Sequence, residues 1–237
     1  NVDKNHPEKS NKPIASNKMP QKLIILVSAI VLISSISFGL ITSSSFLFIL
    51  CIYLFLMTLY SLIIKKVFLV DIISIAIGYM LRVYGGAIIV VNSIEETISV
   101  SIWLILCTGF ASLFVLSIKR FSEITNDKLT SRSSLSGNKS KLLFNSINLN
   151  ELLTYISYSF YCISINFSSI FSANTPSDLS LLLTLPLVIL GMRRFKKDSL
   201  NSPYGDQPEE IIFKSKFIIL IFFSWIIISS LIIYVRN

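Results

Sequence analysis

Charge is scarce in this chain. Only 14% of its 237 residues are Asp, Glu, Lys or Arg, where a soluble globular domain carries about 25%. That excludes an ordinary water-soluble core. Histidine is scarcer still: His6 is the only one, and without a second His or a Cys beside it there is no zinc site. The three cysteines, Cys51, Cys107 and Cys162, are too far apart for a metal or redox motif. Each lies in an apolar run and reads as a small apolar filler. No basic stretch, short apolar run and small-residue cleavage site precede the first span, so it is not read as a signal peptide. The chain opens on Asn rather than Met, and the expectation is a fragment lacking its N-terminal part.

Apolar residues, by contrast, make up 53% of the sequence. They recur in runs of about twenty, the length that crosses a bilayer as a helix. Seven spans are expected, over 22–42, 45–64, 67–91, 98–118, 150–172, 178–195 and 214–235, in one all-α polytopic membrane domain. Residues 1–21 form a polar, basic motif loop before them.

The basic residues alternate with the spans. Five lysines lie in the N-terminal arm, the last of them Lys22, where the first span opens; Lys65 and Lys66 lie in the second turn, six basic residues in 119–149 and six in 193–216. Together these are nineteen of the 21. The opposite connections, 42–44, 92–97 and 173–177, have none. The positive-inside rule places the four basic segments in the cytoplasm and the protein in the cell (plasma) membrane. The net charge of +8 is then topology and lipid-surface charge, and nucleic acid is excluded as a partner.

Polar groups inside spans are costly and mark candidate sites. Asp71 and Arg82 share one span, eleven residues or about 16 Å apart along a helix, on one side. Each therefore needs a partner on another helix or water in a polar cavity. Gly85 and Gly86 follow and are expected to permit close helix packing. Lys119, Arg120 and Glu123 stand where the fourth span leaves the membrane, with Lys119 and Glu123 on one face. Either they are a solvated helix end, or they line the same mouth. Tyr60 is placed as an interfacial anchor. Gly205-Asp206-Gln207-Pro208-Glu209-Glu210 reads as a tight turn and then a helix start, where Glu209 and Glu210 suit the dipole.

Several of these stretches, read with Asp3-Lys4-Asn5-His6-Pro7-Glu8-Lys9-Ser10-Asn11-Lys12-Pro13-Ile14-Ala15-Ser16, carry a resemblance. That arm resembles the end of the first aspartate-rich motif of the UbiA superfamily of intramembrane prenyltransferases, NDxxDxxxD running into D-K/R-x-H-P-x-K-x-x-R-P-I-A-S-G. Asp3 matches the last aspartate, whereas the two earlier ones have no counterpart. Lys12 stands where arginine is usual and Asn17 where glycine is usual. Tyr60 through Lys66 resembles the tyrosine-lysine segment, and Asp71 through Gly86, with Arg82, the helix after it. Lys119-Arg120-Phe121-Ser122-Glu123 resembles a K-R-x-x-E form of the second polar motif, and Gly205 through Glu210 a G-D-x-P-E-E segment. The last two, with HPxK…PIAS, resemble the decaprenyl-phosphate phosphoribosyltransferase branch.

The resemblance implies a nine-span bundle, of which the seven spans here would be the third to the ninth. It implies transfer of a 5-phosphoribosyl group from phosphoribosyl diphosphate to a polyprenyl phosphate, with magnesium (Mg2+) as cofactor. Asp3 would be a metal ligand and Lys9, Lys12, Lys65, Lys119 and Arg120 phosphate contacts. Glu123 would touch metal or ribose, and Tyr60, Asp71, Arg82, Asp206 and Glu209 would line the substrate site. Alone, the fragment is expected to be inactive. Two other readings stay open: an aromatic prenyltransferase of quinone or haem synthesis, and a transporter using an Asp71/Arg82 cavity.

Overall fold

A computed structural model describes residues 20–93, 100–128, 135–170, 179–202 and 205–236. The chain divides into two compact units, 1–52 and 53–237. Asp3, Lys9 and Lys12 lie outside the described residues.

In the first unit, helix α1 (Gln21–Thr42) turns through extended Ser43 into helix α2 (Ser44–Leu62). Ser43 Oγ accepts the Phe46 N–H at 3.1 Å, an N-cap that satisfies one orphan donor of α2. Phe38 meets Phe46 edge-on, ring centres 6.4 Å apart. In α1 the hydroxyls of Ser28, Ser34 and Ser35 donate to carbonyls one turn back, which satisfies these donors within an apolar helix.

The second unit begins in α2. A 3-10 turn (Ile64–Lys66) leads to α3 (Val70–Ser93), followed by α4 (Ile102–Lys128) and α5 (Leu135–Ile170). A 3-10 segment (Leu179–Thr184) enters α6 (Leu185–Asn201); the short α7 (Pro208–Lys214) and α8 (Lys216–Arg236) close the chain. Helix α4 packs on both α3 and α5, and α6 packs on α8. Gly109 lets α4 approach α3: a Cβ there would stand 2.8 Å from Met80 Sδ. In a lipid solvent such contact is worth more than apolarity, because the tails are as apolar as leucine.

Helices α1, α2, α3, α4 and α8 are long and apolar enough to cross a membrane. The faces of α1, α2 and α8 carry exposed Ile, Leu and Phe along their length, a surface that water would not tolerate but hydrocarbon does. The fold is an all-α polytopic membrane bundle.

One expected loop and one expected span take a different form. Residues 119–149 were expected as a loop, yet α4 continues to Lys128 and α5 starts at Leu135. Leu143 and Ile147, four residues apart, are fully buried, and this apolar stripe keeps the segment helical. The span expected over 178–195 is a 3-10 segment and then α6, with Pro186 in its first turn, where proline suits a helix start. Its far end carries Arg193, Arg194, Lys196 and Lys197. Of the pair expected to permit close packing, Gly85 is buried, whereas a Cβ at Gly86 meets nothing within 4 Å.

Two buried clusters hold the second unit. One joins Phe114 and Ile118 of α4, Ile147 of α5, Phe195 of α6, Ile211 of α7 and Ile218 of α8. The other surrounds Tyr158 and Cys162. There the Tyr158 hydroxyl accepts Trp225 Nε1–H at 2.9 Å and bonds Thr184 Oγ1 at 2.6 Å, tying α5 to α8 and to the start of α6. Trp103 of α4 stacks on Phe160 of α5 at 4.5 Å.

Candidate functional site

Three charged side chains of the second unit, Asp71, Arg120 and Glu123, meet where α3 and α4 pack together. Asp71 stands in the first turn of α3, where the dipole favours a carboxylate. The chain enters that turn through Leu69, the only described non-glycine residue with positive φ, at 71°. The left-handed region costs a leucine about 1–2 kcal/mol. Strain of this kind persists where surrounding structure enforces it, and here it sits two residues from a buried carboxylate.

Arg120 of α4 joins this carboxylate to a second one. One terminal nitrogen donates to Asp71 Oδ2, and the other to Glu123 Oε2 at 2.5 Å. The Asp71 side chain is 7% exposed and Arg120 33%, so the α3–α4 pair is largely withdrawn from water. Asp71 thus finds the partner on another helix that the sequence demands. Glu123 faces Arg120 rather than Lys119. Lys119 is half-buried beside them and has no ion-pair partner among the described residues.

The turn at Gly205 closes on this cluster. A Cβ at Gly205 would stand 3.0 Å from Ser122 Cβ and nearer still to Ser122 Oγ and Ser199 O. Only glycine admits that approach. Ser122 lies between Arg120 and Glu123 in sequence, so the K-R-x-x-E and G-D-x-P-E-E elements meet although more than eighty residues separate them. Asp206 follows half-buried, Glu209 is exposed in the first turn of α7, and Glu210 pairs with Lys214. Ile211, in the core cluster with Ile118, fixes α7 against α4.

Other expected residues stand apart. Tyr60 is half-buried near the end of α2, and Lys65 is exposed on the 3-10 turn. Arg82 is exposed and stacks 5.0 Å from the centre of the Tyr53 ring and 5.1 Å from that of Tyr79. Its Nε also donates to Tyr53 Oη at 3.1 Å. It does not join Asp71 in one cluster: eleven residues of helix separate them, and each is held by a different neighbour.

The sequence reading missed a second polar cluster. Glu151 of α5 is buried and accepts from Lys196 Nζ at 2.5 Å and from Tyr155 Oη at 2.8 Å. Lys196 also donates to Asn148 Oδ1 at 2.6 Å. These bonds pin α6 to α5. Glu151 stood at the entry to one expected span and Lys196 at the exit of the next. That pairing of opposite charges was the available signal.

The described residues do not by themselves make a magnesium site. Among them no group of three His, Cys, Asp or Glu side chains could hold a metal, and Asp71 and Glu123 both face Arg120.

The UbiA prenyltransferase family matches residues 1–204. The chain belongs to the UbiA prenyltransferase family. The chain is similar to several decaprenyl-phosphate phosphoribosyltransferases. A decaprenyl-phosphate phosphoribosyltransferase of Mycolicibacterium smegmatis is 22% identical over 229 residues, 95% of this chain and 70% of that protein. One of Mycobacterium tuberculosis is 25% identical over 123 residues, 52% of this chain and 39% of that protein. One of Corynebacterium glutamicum is 30% identical over 125 residues, 52% and 36% respectively. In the latter two the match thus spans well under half of the relative's own length. As a UbiA protein, the chain is a membrane-embedded transferase.

Proposed function

We propose that this UbiA protein transfers a 5-phosphoribosyl group from phosphoribosyl diphosphate to a polyprenyl phosphate, with decaprenyl phosphate the natural chain by analogy with the relatives' names. The observation that carries the reading is the meeting of Ser122 and Gly205. It unites the two elements whose resemblance singles out the phosphoribosyl branch.

In the reaction a phosphate oxygen of the acceptor attacks the anomeric carbon of ribose. The bond from that carbon to the diphosphate oxygen breaks, and its electron pair leaves with diphosphate. The acceptor is already anionic, so no general base is needed. Negative charge grows on the leaving group, and fixed cations beside it lower the barrier. Lys119, with no carboxylate to neutralise it among the described residues, is the residue suited to that work. Arg120 is oriented by Asp71 and Glu123 and retains N–H groups beyond those two bonds. The isoprenoid tail would lie in the hydrocarbon along the exposed faces of the bundle. The basic loops support a cytoplasmic position for this end of the helices, on the side where phosphoribosyl diphosphate is available.

The test is incubation of membranes carrying the full-length protein with labelled phosphoribosyl diphosphate and polyprenyl phosphate. A labelled lipid is the expected product, and label found only in free ribose phosphate rejects the reading. Magnesium, expected at Asp3, is tested in the same assay by chelation. Activity untouched by EDTA discards the metal.

A further inference from the structure

The groove between the end of α6, α7 and the start of α8 has no part in the reading above. It is a wide-open groove of about 340 Å3, lined by Arg194, Asp198, Asn201, Ser202, Lys214 and Ser215. Arg194 is held as a plate. Its Nε donates to Asp198 Oδ2 at 2.9 Å, the same oxygen accepts from Ser215 Oγ at 3.2 Å, and the guanidinium carbon lies 5.5 Å from the centre of the Phe217 ring. Its two terminal nitrogens have no partner among the described residues. Lys214 brings a second positive charge, one helical turn from its partner Glu210.

Around this polar groove the surface is apolar. Phe213 is 78% exposed, Leu220 63% and Phe217 48%, and α8 runs from here into the membrane. A preset guanidinium fork matches the geometry of a phosphate. A soluble phosphate would gain nothing from the apolar rim, whereas a lipid would lay its chains along it. We infer that this groove is a headgroup site for an anionic phospholipid of the bilayer. Arg194 grips the phosphate, Lys214 adds charge, and Asn201 and Ser202 supply polar contacts to the headgroup. The site ties the α6–α7–α8 corner to the membrane surface, and it stands whichever group the enzyme transfers.

Native mass spectrometry of the full-length protein tests this, with phosphatidylglycerol, phosphatidylcholine, polyprenyl phosphate or inorganic phosphate added. One phosphatidylglycerol is expected to be retained in preference to phosphatidylcholine. Each of Arg194→Gln and Lys214→Gln is expected to weaken that retention about fivefold, the effect of one basic residue at a membrane surface. Should Arg194→Gln fail to fold, Lys214→Gln is read alone, since that side chain is 62% exposed. Equal retention of the two phospholipids, or retention unchanged in the variants, overturns the proposal. So does displacement of phosphatidylglycerol by millimolar inorganic phosphate, which would mark a soluble-anion site. Displacement by an equal amount of polyprenyl phosphate would reassign the groove to the acceptor and overturn it equally.

Discussion

Removing the Arg120 side chain should expose the tension built into the α3–α4 pair. In Arg120→Ala the Asp71 carboxylate, 7% exposed, loses its cation in a place that water reaches poorly. Breaking a fully buried ion pair costs about 3–5 kcal/mol. Arg120 is itself one-third exposed, so some hydration reaches the vacated space, and we expect about 2–3 kcal/mol. Glu123, 29% exposed, regains water on its own and adds little. Asp71→Asn keeps the shape and removes the charge, while Arg120 still has Glu123; about 1 kcal/mol is expected. In the double variant the amide needs no counter-charge. Its loss should then fall short of the summed single losses by about 1–2 kcal/mol. Unfolding by SDS in mixed micelles, followed for the four proteins, measures this coupling. Additivity within about 0.5 kcal/mol would refute the pair. Transfer assays separate stability from chemistry: the double variant should recover stability but not turnover, since the cation is gone. Recovery of both would make Arg120 purely structural.

Three further outcomes follow from the same geometry. Lys119→Ala should lower phosphoribosyl transfer at least about tenfold, as loss of a charge-stabilising group does, while shifting stability by less than about 0.5 kcal/mol; unchanged turnover removes it from the site. Gly205→Ala should destabilise by about 1–3 kcal/mol through the clash with Ser122 and Ser199 and should reduce transfer, and an unperturbed melting temperature and activity would show that the contact yields freely. Leu69→Asn should stabilise by about 1 kcal/mol, because asparagine tolerates the left-handed region and Leu69 is 38% exposed; a loss of stability would mean that its side chain matters more than its backbone.

The membrane bundle was legible because apolar run length is a one-dimensional property, and α1, α2, α3, α4 and α8 need no knowledge of neighbours. The ends of α5 and α6 were not. Leu143 and Ile147 favour helix only because α4 lies against them, and the span expected from 178 opens as a 3-10 segment, with α6 starting only at Leu185 beside Pro186. Site residues divide the same way. The need of Asp71 for a partner could be read from its position in a span, but the identity of that partner depended on α3 and α4 running antiparallel. Glu151 was overlooked because it sat at the margin of a span, where a carboxylate passes for a helix end. The closeness of Gly205 to Ser122 has no trace in either local stretch without the family resemblance.

The ring contacts of α5 also give the protein a built-in optical probe. It has two tryptophans. Trp103 lies stacked on Phe160, and Trp225 gives its indole hydrogen to Tyr158. Both chromophores therefore look at the same helix from opposite partners, α4 and α8. Intrinsic emission on heating or in detergent will thus report when α5 comes loose, well before the apolar outer helices lose their secondary structure. Trp225→Phe alone leaves a signal that follows the α4–α5 contact.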